Sequence, residues 1–267
     1  QYDPVTNTFT TKFDFNGSIN GSYPYGSLMQ ATDGNLYGIT SGGGTNGFGV
    51  LFQYNPISDV FTKKLDFDGA IMGSNQHSTS LIQANDGKLY GLTHHGGSNL
   101  MGVLFQYDFV SDIYTKKVDF DGAIKGRNPQ GTLLQGTDGN LYGLTVNGGV
   151  NNLGVLFQFS PSSSIYSKKL DFDGANGGNP SGSLMLASDG NFYGLADNGG
   201  LNSKGTLYQY NYISDTFIKK HDFASAINGS SPWGALTPFF NGKLYGITNS
   251  GGVYGDGVLF NYDPLTH

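Results

Sequence analysis

Hydrophobic and polar positions along this chain fall into short blocks, and the blocks recur. The run GVLFQY opens at Gly49 and returns, slightly altered, at Gly102, Gly154, Gly205 and Gly257, at intervals of 51 to 53 residues. Ahead of it stands DGNLYGIT at 33–40, with copies at 86–93, 138–145, 189–196 and 241–248. Behind it stands KKLDFDGA from Lys63, with partners from Lys116, Lys168 and Lys219 and a first copy, TKFDFNGS, near the N-terminus. Three anchors in one order, repeated at a fixed period, signal a repeat architecture in which each unit buries its apolar face against its neighbours.

Each repeat contains four segments that predict strands, as in SLMQA, NLYGIT, GVLFQY and VFTKKLDF of the first. They are rich in Leu, Val, Phe, Tyr and Thr, while Gly, Asp, Asn and Pro fill the joints. The Asp-Gly between the first two segments is a strong hairpin signal. No segment keeps a helical period. Four strands in each of five repeats predict an all-β fold, a five-bladed β-propeller of four-stranded antiparallel blades. A β-solenoid is the alternative, but its coils are usually shorter and its ends need capping repeats, and neither end here resembles a cap. The chain ends on a third strand, GVLFNYDPLTH, and begins with a turn and a fourth strand, QYDPVTNTFTTKFDF. The expectation is one domain over 1–267, in which residues 8–15 pair with the blade at 235–263, close the ring and remove its open edge. The glycine within each second strand (Gly38, Gly91, Gly143, Gly194, Gly246) is expected to mark the close approach of neighbouring blades.

Loop lengths add a direction. The first-to-second and third-to-fourth connections are tight, whereas TSGGGTNGFG and DFDGAIMGSNQHST are long. In an up-and-down blade both long loops lie on one face, and that face is where a scaffold carries function.

Composition narrows the chemistry. The chain has no Cys, 14 Lys plus Arg, and a net charge of −6. Its one Arg is Arg127, and a chain without a basic face is not built for nucleic acid. No apolar run is long enough to span a membrane. Low charge with abundant Asn, Ser, Thr, Gly and Tyr points to an extracellular or cell-surface setting. All 20 acidic residues are Asp, so a glutamate pair of the glycosidase type is excluded and only Asp pairs remain. No nucleophile–base constellation, phosphate loop or zinc spacing is present; the glycine loops join strand to strand, and a phosphate cradle needs a following helix.

Three groups of residues carry candidate chemistry. The D-x-D-G corner places Asp66 with Asp68, Asp119 with Asp121, and Asp171 with Asp173, resembling the opening of a calcium loop. The plainer reading has the first Asp accepting backbone hydrogen bonds and the second forming an Asx turn; no cofactor other than calcium is expected. Tyr25 and Trp233 share a variable position before the first strand, where an aromatic ring stacks on a sugar or fills space. His77, His94 and His95 gather in one repeat as a metal site or as ordinary loop polarity. Arg127 joins the aromatic and histidine residues as a ligand-binding candidate on the long-loop face. The Lys pairs of the fourth strand, such as Lys63 and Lys64, read as protection of an outer edge.

The run GSLMQATDGNLYGITSGGGTNGFGVLFQY resembles the GloVer tandem repeat of bacterial surface and secreted proteins of the choice-of-anchor type, through LYG, then T-x-x-G-G, then G-x-(V/T)-(L/F)-(F/Y). All five repeats carry it, the fourth most loosely, with Ala196 for Thr and Thr206 for Val. The resemblance implies export and a surface-associated life, and implies no activity. Five similar repeats suit several equivalent sites on a repetitive ligand better than one asymmetric catalytic centre. The expected function is a non-enzymatic, lectin-like module whose partner is a glycan. A structural or adhesion domain that holds surface proteins is the second reading, and an Asp-based hydrolase or lyase the third.

Overall fold

The computed structural model describes residues 1–74 and 79–266. Among them every regular element is a strand. Four antiparallel sheets follow the repeat. The first consists of β3 (Met29–Gln30), β4 (Leu36–Ile39), β5 (Val50–Asn55) and β6 (Val60–Asp66). The second consists of β7 (Ile82–Gln83), β8 (Leu89–Thr93), β9 (Val103–Asp108) and β10 (Ile113–Asp119). β11 (Arg127–Gln135), β12 (Leu141–Asn147), β13 (Val155–Ser160) and β14 (Ile165–Asp171) form the third. β15 (Met185–Leu186), β16 (Phe192–Ala196), β17 (Thr206–Asn211) and β18 (Thr216–Asp222) form the fourth. In the fifth, β19 (Ser230–Pro232) and β20 (Thr237–Pro238) share one edge of β21 (Leu244–Ser250), and β22 (Val258–Tyr262) takes the other. The pair β19 and β20 stands where β11 runs unbroken, so the fifth sheet holds three strand positions where the others hold four.

Apolar seams join consecutive sheets. Tyr37, Ile39 and Leu51 of the first cluster with Leu81, Leu89 and Phe105 of the second. The seam between fourth and fifth repeats this with Tyr193, Leu195 and Leu207 against Leu236 and Leu244. The first three seams also carry an aromatic triad: Phe67 meets Phe105 at 5.6 Å edge-on, and Phe105 stacks on Tyr114 at 5.3 Å, while the fourth seam keeps only the pair Phe223 and Phe260 among the described residues. Offset and edge-to-face rings of this kind add to the area they bury.

The strand-two glycines serve a different contact from the one expected. Gly38 pairs with Phe52 of the adjacent strand, and a Cβ there would overlap the Phe52 ring. Gly91, Gly143, Gly194 and Gly246 are each covered in the same way by the aromatic residue opposite. The glycine is a socket within one sheet. Close approach between sheets falls instead at Gly26, Gly131 and Gly182, where a Cβ would run into a backbone carbonyl of the next sheet.

The lysines of the fourth strand also do more than guard an edge. Strand pairing skips one residue, so that Leu51 faces Leu65 while Phe52 faces Lys63. The residue left over is Lys64, and the bulge re-aims it. Lys64 reaches Asp112 of the next sheet at 3.3 Å, and its counterpart Lys169 reaches Asp215 at 3.1 Å. Lys63 stays in its own sheet, on Asp66 at 2.7 Å.

Residues 8–15 do not pair with the fifth sheet: among the described residues β22 pairs with β21 alone. The physical reason lies in the first three residues. β1 (Tyr2–Asp3) pairs with β2 (Thr8–Phe9) in the register Tyr2 to Phe9. This repeats Tyr54 to Phe61 of the first sheet. The place a third strand takes beside Thr8 and Phe9 is therefore already filled by the chain's own start. The segment lies against the first sheet as the fourth strand of a preceding sheet would. Phe15 meets Phe52 and Phe61, Phe13 stacks on Phe61 at 3.8 Å, and Lys12 reaches Asp59 at 3.0 Å, the counterpart of Lys64 on Asp112.

Candidate functional site

The D-x-D-G corners are built into the scaffold. Asp66 accepts the Thr45 N–H at 2.8 Å, Asp119 that of Ser98 at 2.9 Å, Asp171 that of Val150 at 2.9 Å and Asp222 that of Leu201 at 2.7 Å. Each thereby clamps the glycine loop of its own repeat, at a glycine with positive φ (Gly44, Gly97, Gly149, Gly200) whose Cβ would overlap the carboxylate. Burial pushes the Asp66, Asp119 and Asp222 carboxyls up, but the neighbouring lysine and the loop N–H outweigh it and hold them below the ordinary 3.8. The second carboxylate caps the turn that follows: Asp68 accepts from Ile71 and Met72, Asp121 from Ile124 and Lys125, and Asp173 from Asn176. The Asx-turn reading describes these residues. Among the described residues no three His, Cys, Asp or Glu side chains converge as metal ligands.

Asp-Gly turns use their aspartates internally as well. Tyr37 donates its hydroxyl to Asp33 at 2.8 Å, Tyr90 to Asp86 at 2.7 Å and Tyr142 to Asp138 at 2.8 Å. Structural duty of this kind absorbs most of the acidic residues.

On the long-loop side a different arrangement emerges. In the second, third and fourth repeats the residues at the end of the second strand meet the residue that opens the first strand of the next repeat. At that opening position Tyr23, Asn128, Asn179 and Ser231 all adopt left-handed φ, between 51° and 58°. Asparagine tolerates this conformation and can hydrogen-bond locally from it. Asn128 Nδ2 donates to the His94 carbonyl and meets His95 Nδ1, each at 3.2 Å. Asn147 Nδ2 points at Asn128 Oδ1 at 3.5 Å. Asn179 Nδ2 donates to the Val146 carbonyl at 3.0 Å and to Asn147 Oδ1 at 3.2 Å. Asn198 Nδ2 continues to Asn179 Oδ1 at 3.3 Å, and Asp197 meets the Ser231 side chain. A ladder of side-chain amides thus crosses two seams from the His94–His95 pair, and Asp197 with Ser231 carries the hydrogen bonding on to the fifth sheet. Burial pushes the Asp197 carboxyl above the ordinary carboxylate value, only partly offset by Ser231.

Of the expected ligand-binding residues, His94, His95 and Arg127 lie at this ladder. His94 and His95 form its head, edge-on with ring centres 4.4 Å apart. Arg127 opens β11 opposite Asn147, beside the ladder, with its Nε buried and without a hydrogen-bond partner among the described residues. Tyr25 is exposed and lies parallel to exposed Tyr23, with ring centres 6.1 Å apart and planes 9° apart. A bulky residue in the left-handed region is a strained placement, and such strain concentrates at sites of function. Trp233 is half exposed, with its backbone N–H donating to the Ile247 carbonyl at 3.3 Å. His77 lies outside the described residues. The amides of Asn128, Asn147, Asn179 and Asn198 were not among the expected residues. Their recurrence as the second residue after LYGLT and FYGLA, and ahead of PQG and PSG, was the signal present in the sequence.

Comparisons with known proteins agree with this architecture. A search of curated proteins finds no match. A crystal structure described as the extracellular domain of a one-component system from B. thetaiotaomicron superposes with a TM-score of 0.60 at 18% identity, covering 96% of this chain and 29% of that one. TolB from Acinetobacter baumannii gives 0.48 at 14% identity, over 82% of this chain and 47% of that one. The present chain thus spans less than a third of the length of the first neighbour, and identity this low speaks for a propeller-like fold alone. The model of the Gloeobacter/Verrucomicrobia repeat matches residues 76–267. That match covers well over half of the chain, including the LYG-type strand, glycine loop and GVLF-type strand of the second to fifth sheets (FYG and GTLY in the fourth), and the chain belongs to this family.

Proposed function

We propose that this chain is a non-enzymatic binding module of an extracellular or surface protein, and that its ligand is a glycan lying along the amide ladder. The ladder is the observation that carries this reading: side-chain amides offer donors and acceptors in alternation, which is what a row of sugar hydroxyls requires. The parallel Tyr23 and Tyr25 rings supply flat apolar faces for a pyranose. The acidic residues are spent on loop clamps and Asp-Gly turns, so an acid–base pair has little to draw on. Export is suggested by the family resemblance and by the extracellular neighbour.

A glycan-array screen with and without a calcium chelator tests this. Binding to a defined glycan class that survives the chelator supports the ladder as the site. Asn147→Ala and Tyr23→Ala should each weaken that binding about tenfold, the equivalent of one lost contact of ~1.4 kcal/mol. Silence across the array in both conditions would sink the glycan reading and leave the structural or protein-partner reading in front.

A further inference from the structure

The amide ladder is not electrically uniform. At one end Asp197 accepts from Asn198 Nδ2 at 3.5 Å and meets the Ser231 side chain. Toward the other end stand the His94–His95 pair and Arg127, the one arginine of the chain.

Arg127 occupies a position where the other repeats carry their smallest residues. A glycine of positive φ precedes it, as one precedes Ser22, Ser74, Gly178 and Ser230. The main chain at this position pairs with the second residue beyond the second-strand threonine or alanine: Ser22 with Gly42, Arg127 with Asn147, Gly178 with Asn198. Serine or glycine completes that pairing, so the fold makes no demand for an arginine here. Nor does the fold use the charge. Ion pairs within and between sheets are made by lysines, as in Lys63 with Asp66 and Lys64 with Asp112. Arg127 Nε is buried and has no hydrogen-bond partner among the described residues. The Nη groups beyond it reach the surface, and no described carboxylate or carbonyl holds them. Packing thus fixes the stem and leaves the charged fork open, as long cationic side chains do when body and head differ in surroundings. Residues in register on antiparallel strands project from one face. Arg127 therefore shares a face with Asn147, a rung of the ladder.

We propose that Arg127 makes the ladder a reader of acidic sugars. The glycan carries an oxyanion, the carboxylate of a uronic acid or a sulfate ester, which docks on the Arg127 fork while its hydroxyls continue along Asn147 and Asn179. A planar guanidinium meets either oxyanion through two parallel hydrogen bonds, which an amide cannot supply as a charged pair. Resting on the glycan reading above, this assignment adds the ligand's charge and its direction, because an oxyanion at the far end would face Asp197. It also makes the third repeat the anchor among repeats that otherwise share one pattern.

Calorimetric titration of one oligosaccharide in two charge states tests this. The probes are a galacturonic acid oligomer, the same oligomer with its carboxyls reduced to alcohols, and a sulfated galactose oligomer. Each is titrated into the wild type, Arg127→Ser and Asn147→Ala. Serine is native to this position in three other repeats, so the thermal midpoint of Arg127→Ser should match that of the wild type. The wild type should bind an acidic probe about tenfold tighter than the reduced oligomer, and Arg127→Ser should erase that preference. Asn147→Ala should weaken acidic and neutral binding alike and keep the preference. Which acidic probe binds separates carboxylate from sulfate. Equal binding of reduced and acidic probes by the wild type would overturn the charge assignment and leave the ladder as a neutral-sugar site. So would acidic probes that stay silent while the glycan array returns neutral sugars alone. A lowered midpoint in Arg127→Ser with the preference intact would make Arg127 a structural residue and overturn the assignment as well. Silence with all probes and across the array would remove the glycan reading and this inference together.

Discussion

The third and fifth sheets are written in nearly the same words and live in different surroundings. Both carry LYG on the second strand and GVLF on the third, yet Leu156 is fully buried and Leu259 is mostly exposed. The third sheet has a neighbour on each side, and the fifth has one. Burial here is therefore a property of the seam and not of the residue, as expected for an array whose units each contact only adjacent units.

The widest separation should come from truncating the equivalent leucines. Leu156→Ala should cost about 2–5 kcal/mol in urea denaturation, and Leu259→Ala under about 1 kcal/mol at concentrations where the chain is monomeric. Equal losses would mean the fifth sheet is covered after all. A smaller contrast is expected near the inner edges. Gly182→Ala pushes a Cβ into the Gly234 carbonyl of the next sheet and should cost ~3 kcal/mol. Gly234→Ala meets open space and should cost only ~1 kcal/mol, from its positive φ.

One substitution should stabilise. Tyr208 occupies the socket position held by Phe52, Phe105, Phe157 and Phe260, and its buried hydroxyl has no hydrogen-bond partner among the described residues. Tyr208→Phe should raise stability by about 1 kcal/mol, since it removes an unpaired buried polar atom. The smallest effect concerns pH. Asp66, Asp119 and Asp222 sit below 3.8 in the folded chain, so they favour folding above the usual carboxylate range and lose that contribution as pH falls through their folded values. Asp119→Asn should flatten the decline in unfolding free energy between about pH 5 and pH 3 by under ~1 kcal/mol, because the pair with Lys116 is partly exposed and screened. The fifth loop has no such clamp in the chain's own structure, so its hydrogen exchange should not share this pH dependence.

Much of this was legible in the residues. Period, strand order, tight and long connections and the face bearing the long loops all follow from patterns that recur within one repeat. The amide ladder did not, because its rungs come from different repeats: Asn147 ends a second strand, Asn179 precedes the next first strand, and only a seam brings them together. Asp66 and Asp68 looked like a ligand pair because spacing reveals the carboxylates and not the amides already bound to them. The N-terminal strand was recognisable as a fourth strand from TKFDF. Its third-strand partner was misassigned because QYD at the start and NYD at the end compete for one place.

The loop clamp has a consequence for how this surface can change over generations. Asp66, Asp119, Asp171 and Asp222 each grip a main-chain N–H, so the clamp forms whatever side chain stands there: the Thr45 and Ser98 hydroxyls add a bond to the same carboxylate, and Val150 and Leu201 do without one. That position is Thr45, Ser98, Val150 and Leu201 in successive repeats. Selection can therefore rewrite the outer vocabulary of the long-loop face one repeat at a time, while the grammar beneath it stays fixed.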